Sequence, residues 1–460
     1  MRPKFSTVFA CQSCGAVSPK WLGRCPDCGE WNSYVEEVRG DRQAPAESAS
    51  TAAPLAHVGT AAADSRVSTT LPGLDRVLGG GLVPGSLVLL GGEPGIGKST
   101  LLLQAAQGVA AHAGEVLYAT GEESAAQVKM RADRLSIRQD RLLVLAETEV
   151  SAVVAEAESR RPALLVVDSI QAVRDSALSS AAGTVSQVRE SAAVLVRYAK
   201  ARAVPVVLIG HVTKDGSLAG PKSLEHLVDA VISIEGERSS SRRLLRASKN
   251  RFGPVDELAL YEMTGEGLCE VPNASAALLA ERRKGSPGSA VTAAREGSRS
   301  LLLEIQALVG PSTAGSPRRV AVGVDSSRLA LLLAVLEGAG LALSTREVFV
   351  SCAGGLEARE PAVDLAVVAA LTSSARGVAL PEDAVFFGEI GLLGEVRVVP
   401  AAVARLKESA AMGFKTVFLP AGNAGDGAGF ADLEIAPVDR VREFLGRMFE
   451  VRVEGPGPRH

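Results

Sequence analysis

The run "GEPGIGKST" offers a defined chemistry, anion binding by backbone amides. Gly92, Glu93, Pro94, Gly95, Ile96, Gly97, Lys98, Ser99 and Thr100 follow an apolar strand and open an apolar-periodic helix. Glycines in such a loop let main-chain N–H groups ring phosphate oxygens. A lysine placed like Lys98 reaches the β and γ oxygens of a nucleoside triphosphate, and a hydroxyl like that of Ser99 completes a magnesium shell. Downstream, "PALLVVDSI" ends a buried strand at Asp168, the acidic partner that the shell requires. A strand-end aspartate capping the next segment is the bland alternative. "EVLYATGEES" ends another strand at Glu122 and Glu123; one carboxylate is expected to orient the attacking water, the other being a solvated helix start. "VPVVLIGHVTKDG" ends a further strand at His211, where a γ-phosphate sensor would sit, although a lone histidine is more often a satisfied polar residue. Lys214 and Lys222 in the following loop suit a DNA-contacting segment and equally an ordinary surface loop.

Cys11, Cys14, Cys25 and Cys28 form a second constellation. Two C-x2-C pairs on tight turns, each followed by glycine, place four thiolates around one ion, the closed tetrahedral set of structural Zn2+. A redox dithiol is the competing chemistry, but it calls for one pair beside a strand and helix. A segment this short also needs a staple to fold.

The elements that must position these groups follow from composition and periodicity. Residues 1–38 read as a zinc ribbon, and 39–66, rich in Ala, Ser and Pro, as a linker. From 67 to 272, short apolar runs alternate with amphipathic stretches of helical length, which implies a mostly parallel α/β sheet covered on both faces. Residues 273–297, containing "RRKGSPGSAVTAAREGS", read as a second linker, and 298–460 as a separate α+β domain without a phosphate loop. The 460 residues suggest about three domains of roughly 150 residues. A net charge of −3 gives no large single-sign field, so any nucleic-acid contact must come from local patches or oligomerisation. No signal-type segment is evident and no run approaches the roughly 18 apolar residues of a membrane span, which points to the cytoplasm.

Lys249-Asn250-Arg251-Phe252-Gly253, "KNRFG", reads on pattern alone as a solvated basic turn. Together with "LPGLDRVLGGGLVPGSLVLLGGEPGIGKST", "GEES", "VVDSIQ", "GHVTKDG" and the four-cysteine ribbon, it resembles the RadA (Sms) family of bacterial DNA-repair ATPases over essentially the full chain. The resemblance implies a RecA-like P-loop core that uses ATP, assembles as a ring-shaped homohexamer and hydrolyses ATP on single-stranded and branched DNA. It further implies branch migration in homologous recombination alongside the RecA recombinase, with Lys249 and Arg251 reaching phosphates bound by a neighbouring subunit.

The C-terminal region resembles the proteolytic domain of Lon proteases, which use a serine-lysine dyad. The resemblance sets Ala362 at the serine position and Val403 near the lysine position, so no acyl transfer is expected. Ser351, Ser373 and Lys407 read as a strand residue, a helix-end polar residue and a solvated helix lysine. Two other functions remain open from the residues: an ATP-dependent Lon-like protease and a nucleotide-gated assembly switch.

Overall fold

A computed structural model describes residues 5–40, 65–211, 223–236, 241–255, 257–296, 299–312, 317–354, 357–358 and 360–449. Most of the expected 39–66 linker lies outside the described residues, as do Lys214 and Lys222. The chain divides into two compact units, 1–271 and 272–460. The first carries the ribbon, an antiparallel sheet of β1 (Phe5–Cys11), β2 (Val17–Ser18) and β3 (Tyr34–Gly40).

The same unit holds a nine-stranded sheet. β4 (Leu87–Gly92), β5 (Val116–Thr120), β6 (Leu142–Ala146), β7 (Leu164–Asp168), β8 (Val206–His211) and β9 (Ala230–Glu235) run parallel. β10 (Arg242–Asn250), β11 (Leu258–Thr264) and β12 (Gly267–Glu270) add an antiparallel meander, giving the order β12-β11-β10-β9-β4-β8-β7-β5-β6. Every residue of β4, β5 and β7 is buried, because helices cover both faces; this is why these strands read as continuous apolar runs. Helix Lys98–His112 packs into the core on one face, and helices Val150–Arg160 and Val185–Arg202 into the core on the other. The fold is thus a RecA-like α/β P-loop core behind an N-terminal ribbon.

The second unit is mixed α/β. Its strands are β13 (Ser289–Glu296), β14 (Arg299–Pro311), β15 (Arg319–Val322), β16 (Arg346–Cys352), β17 (Ala384–Phe386), the hairpin of β18 (Glu389–Ile390) and β19 (Val396–Arg397), β20 (Thr416–Pro420) and β21 (Glu434–Val438). Seven form one sheet in the order β15-β16-β14-β13-β17-β20-β21. On one face Leu302, Val291 and Ala293 pack against Ala402 and Leu406 of helix Ala402–Ala411. Helix Asp364–Arg376 packs on β13 and β14, against the other face, since alternate strand residues point oppositely.

Residues 273–297 are not a linker. They hold helix Ala274–Leu279 and β13, which pairs with β14 along its whole length. Its inward residues, Val291 and Ala293 among them, alternate with small or polar ones, so a buried strand looked like a Gly/Ser-rich connection. The meander β10–β12 was likewise not legible as strands, because Arg242, Arg243, Arg246 and Lys249 interrupt its apolar pattern.

Candidate functional site

Strand order alone gathers the motifs. Gly92 pairs with His211, Val167 with Leu208, and Thr120 with Asp168. The carboxyl ends of β4, β8, β7 and β5 therefore lie side by side, at the edge where open α/β sheets bind ligands. The backbone of His211 ends β8 beside the loop; its side chain lies outside the described residues.

The loop from Glu93 to Gly97 runs from β4 into helix Lys98–His112. Gly97 has φ +117°, and a Cβ there would meet Met263 Cε at 2.6 Å; a Cβ on Gly92 would meet Ile234 Cγ2 at the same distance. Gly95, φ +80°, has open space over it. Lys98 is buried and its Nζ donates to the carbonyls of Gly92 at 2.8 Å and Glu93 at 2.9 Å. Burial lowers its pKa, while Asp168, Glu122 and Glu93 pull it back towards the charged form. The loop amides, a helix N-terminus and a cation thus converge on one point. Ser99 is half-buried and Thr100 buried at that helix start.

Asp168 is buried, and Tyr118 Oη donates to its Oδ2 at 2.5 Å. Burial and the Asp168 charge hold the Tyr118 hydroxyl far above its ordinary pKa, so it remains a donor, and its hydroxyl also bonds the Ser99 side chain. Glu122 and Glu123 separate. Glu122 is exposed, accepts from Ser169 Oγ and acts electrostatically on Lys98. Glu123 turns away into an ion pair with Arg131 at 2.5 Å, and its amide bonds Thr120 Oγ1. Hydroxyl and carboxylate donors fit a nucleotide with Mg2+: Ser99 and Asp168 would hold the ion, and Lys98 with the loop amides would hold the phosphates.

The KNRFG turn stands at the other end of the sheet. Asn250 pairs with Ala230, and Ala230 with Val88, near the start of β4. Four strand residues, about 13 Å, separate that level from Gly92, where the phosphate loop begins. Asn250 Oδ1 accepts from Phe252 N at 2.9 Å, Arg66 donates to Phe252 O at 2.7 Å, and a Cβ on Gly253 would meet Gly79 Cα at 3.0 Å. Lys249 Nζ donates to the carbonyls of Glu225 and Val228, the latter at 2.8 Å. Burial and the neighbouring Arg251 lower its pKa. Arg251 Nη1 meets Asp229 Oδ1 at 3.1 Å and stays half-exposed. The buried Asp229 also accepts from Leu87 N at 3.0 Å, tying Arg251 to the first residue of β4.

In the ribbon the sulfurs of Cys11, Cys14, Cys25 and Cys28 all lie within 4.8 Å of one another. Cys11–Cys28 is 3.7 Å and Cys14–Cys25 is 3.5 Å, close to the roughly 3.8 Å expected of thiolates around one ion with 2.3 Å bonds. Gly15 and Gly29, at φ +75° and +78°, close matching turns by bonding back to Cys11 O and Cys25 O. The donor set fits Zn2+.

The sequence matches the AAA domain family over residues 52–217 and the rubredoxin metal binding domain family over 9–36. DNA repair protein RadA of Bacillus subtilis is 47% identical over 96% of this chain and 98% of its own. That of Pseudomonas aeruginosa is 48% identical over 97% and 100%. The chain belongs to the RadA family of DNA repair proteins. A crystal structure of the RadB recombinase is also similar, at 23% identity and TM-score 0.37, over 45% of this chain and 99% of that one. Membership in a P-loop ATPase family makes ATP the nucleotide of the site and its hydrolysis the chemistry.

Several residues of this RadA-family site carried no legible sequence signal. Tyr118 lies in the apolar run EVLYAT and reads there as one more buried strand residue. Arg243, a buried cation on β10, donates to Ile96 O of the phosphate loop at 3.1 Å. Asp229 and Ser169 bear on the motifs only through strand pairing across the sheet, and Arg131 through helix Ala125–Arg134, which carries it back onto Glu123. In the C-terminal unit Ala362 is buried and Val403 exposed. Helix Ala402–Ala411 also turns Arg405 inward beside Leu406, fully buried, with its fork on both oxygens of Glu360 at 2.7 Å. Ser373 Oγ is committed to Gly288 N and Val378 O, and Lys407 is exposed. Among the described residues no helix is long and apolar enough to cross a membrane.

Proposed function

We propose that the protein is a DNA-dependent ATPase motor of DNA repair, a hexameric ring in the cytoplasm that drives branch migration on single-stranded and branched DNA together with the RecA recombinase. The observation that carries this reading is the placement of Arg251. In its own chain it belongs to the end of the sheet opposite the phosphate loop, yet it is half-exposed and rigidly mounted. A guanidinium held this way suits phosphates bound by an adjacent copy. Lys249, taken up by two carbonyls, positions the turn. Glu122 orients the attacking water, and Lys98 with the loop amides stabilises charge developing on the γ-phosphate. Ser99 and Asp168 would hold Mg2+, which would supply charge neutralisation at the phosphates. His211 acts as the γ-phosphate sensor at the end of β8.

Purified protein is expected to turn ATP over slowly and several-fold faster with single-stranded DNA, and Lys98→Ala is expected to lose at least ~10²-fold. DNA that leaves turnover unchanged at every salt concentration would remove the motor. The Lon-like protease reading has no specific support, since Ala362 offers no nucleophile.

A further inference from the structure

The meander β10–β12 grips the phosphate loop and its helix at three places. On β10, Arg243 Nε donates to Ile96 O at 3.1 Å and its Nη1 to Arg242 O at 2.7 Å. On β11, Met263 fills the space beside Gly97, where a Cβ would meet Met263 Cε at 2.6 Å. On β12, Leu268 N donates to Gln104 Oε1 at 3.0 Å and Gln104 Nε2 to Leu268 O at 3.2 Å, which fixes the helix that the loop opens. Arg243 is the costly member of this set. It is 7% exposed, and a guanidinium removed from water destabilises the fold unless its N–H groups are taken up. Leu245 and Ala247 share its face of β10 and are buried without that cost.

The bond to Ile96 O has a consequence for the next amide. In a trans peptide the C=O and the N–H point to opposite sides. With Ile96 O turned out to the meander, Gly97 N–H turns in to the start of helix Lys98–His112, where main-chain amides meet phosphate. Gly97 is poorly able to keep that orientation by itself. Its φ of +117° belongs to a region that glycine enters as readily as negative φ, so the 96–97 peptide can turn over with little local resistance. A cation on the carbonyl oxygen opposes the turn, and by polarising the amide it makes the N–H a stronger donor.

We propose that Arg243 is a positioning residue of the ATP site, acting through Ile96 O to keep Gly97 N–H aimed at the nucleotide phosphates. This rests on the ATP-site reading above and needs neither the ring nor DNA. The test is ATP turnover of the full-length chain without DNA, beside the equilibrium Kd of a fluorescent ADP. Arg243→Met, unbranched and without a donor, is expected to raise the KM for ATP and the Kd for ADP roughly tenfold or more, the scale of one hydrogen bond to a charged group, and to lower kcat less. Arg243→Lys, which returns one charged donor to the same carbonyl but no fork, is expected to raise both constants only about threefold. A merely structural arginine would leave fewer folded chains, lowering kcat at unchanged KM and Kd. That result in either variant would overturn the proposal, as would equal weakening by methionine and lysine. Should Arg243→Met not fold, Arg243→Lys decides by the same split between KM and kcat. Unsubstituted chain that binds no ADP would remove the ATP-site reading itself, whereas normal binding there with unchanged constants in the variants removes this assignment alone.

Discussion

Glu122 and Glu123 are adjacent in sequence and chemically equal, yet the fold gives them different surroundings. Glu122 faces the Asp168–Ser169 strand end and influences Lys98, whereas Glu123 is paired with Arg131. Glu122→Gln is expected to cut turnover by roughly 10²-fold or more, as loss of a general base does, with ATP binding retained. Glu123→Gln is expected to cost about 1 kcal/mol of stability or less, because its ion pair is only partly buried, and to leave turnover close to wild type. Single-turnover hydrolysis and thermal melting of the two variants check this; equal loss of turnover in both would contradict the assignment. No sequence signal separates these residues, since the distinction depends on Glu122 meeting Ser169 beyond β7 while the following helix brings Arg131 onto Glu123.

At the scale of elements, the ribbon is fastened to the ATPase core rather than hung from it. Ser186 Oγ donates to the buried Glu37, and Arg189 Nη1 donates to Gly15 O at 3.1 Å. Gly15 belongs to the first cysteine turn, so metal-dependent folding of the ribbon and the first turn of helix Val185–Arg202 are mechanically connected. Removing zinc with a chelator is expected to unfold the ribbon and to raise amide exchange in residues 5–40 and also around 185–190. Exchange that rises in the ribbon alone would show the contact to carry no coupling. The two C-x2-C pairs announced the metal centre, but Glu37 looked like one more solvated acid. Its burial depends on a helix about 150 residues away in sequence.

For the whole molecule, the position of Arg251 separates action within a chain from action between chains. Arg251→Ala is expected to lower turnover by roughly 10³-fold, the scale of an arginine finger. In the proposed ring, Lys98→Ala would disable the other half of a site shared with Arg251 of the adjacent copy. Mixed and reassembled in equal amounts, the two inactive chains are expected to regain activity at up to about one quarter of ring interfaces, those pairing an intact phosphate loop with an intact Arg251. ATP turnover against mixing ratio checks this; a mixture as inactive as its parts would place Arg251 in its own subunit's site.

By itself the sequence determined the phosphate loop, Asp168, the four zinc ligands and the parallel core. Each depends on residues close together in the chain, where glycine geometry, a strand-to-helix junction or thiolate spacing is a local property. It misread 273–297 and left the β10–β12 meander and the inward turn of Arg405 out of sight. Only the tertiary structure decided those, along with the different neighbours of Glu122 and Glu123 and the distance of Arg251 from its own phosphate loop. These are outcomes of strand order and register, and a sheet that places β10 beside β9 and β9 beside β4 brings together residues that no local pattern connects.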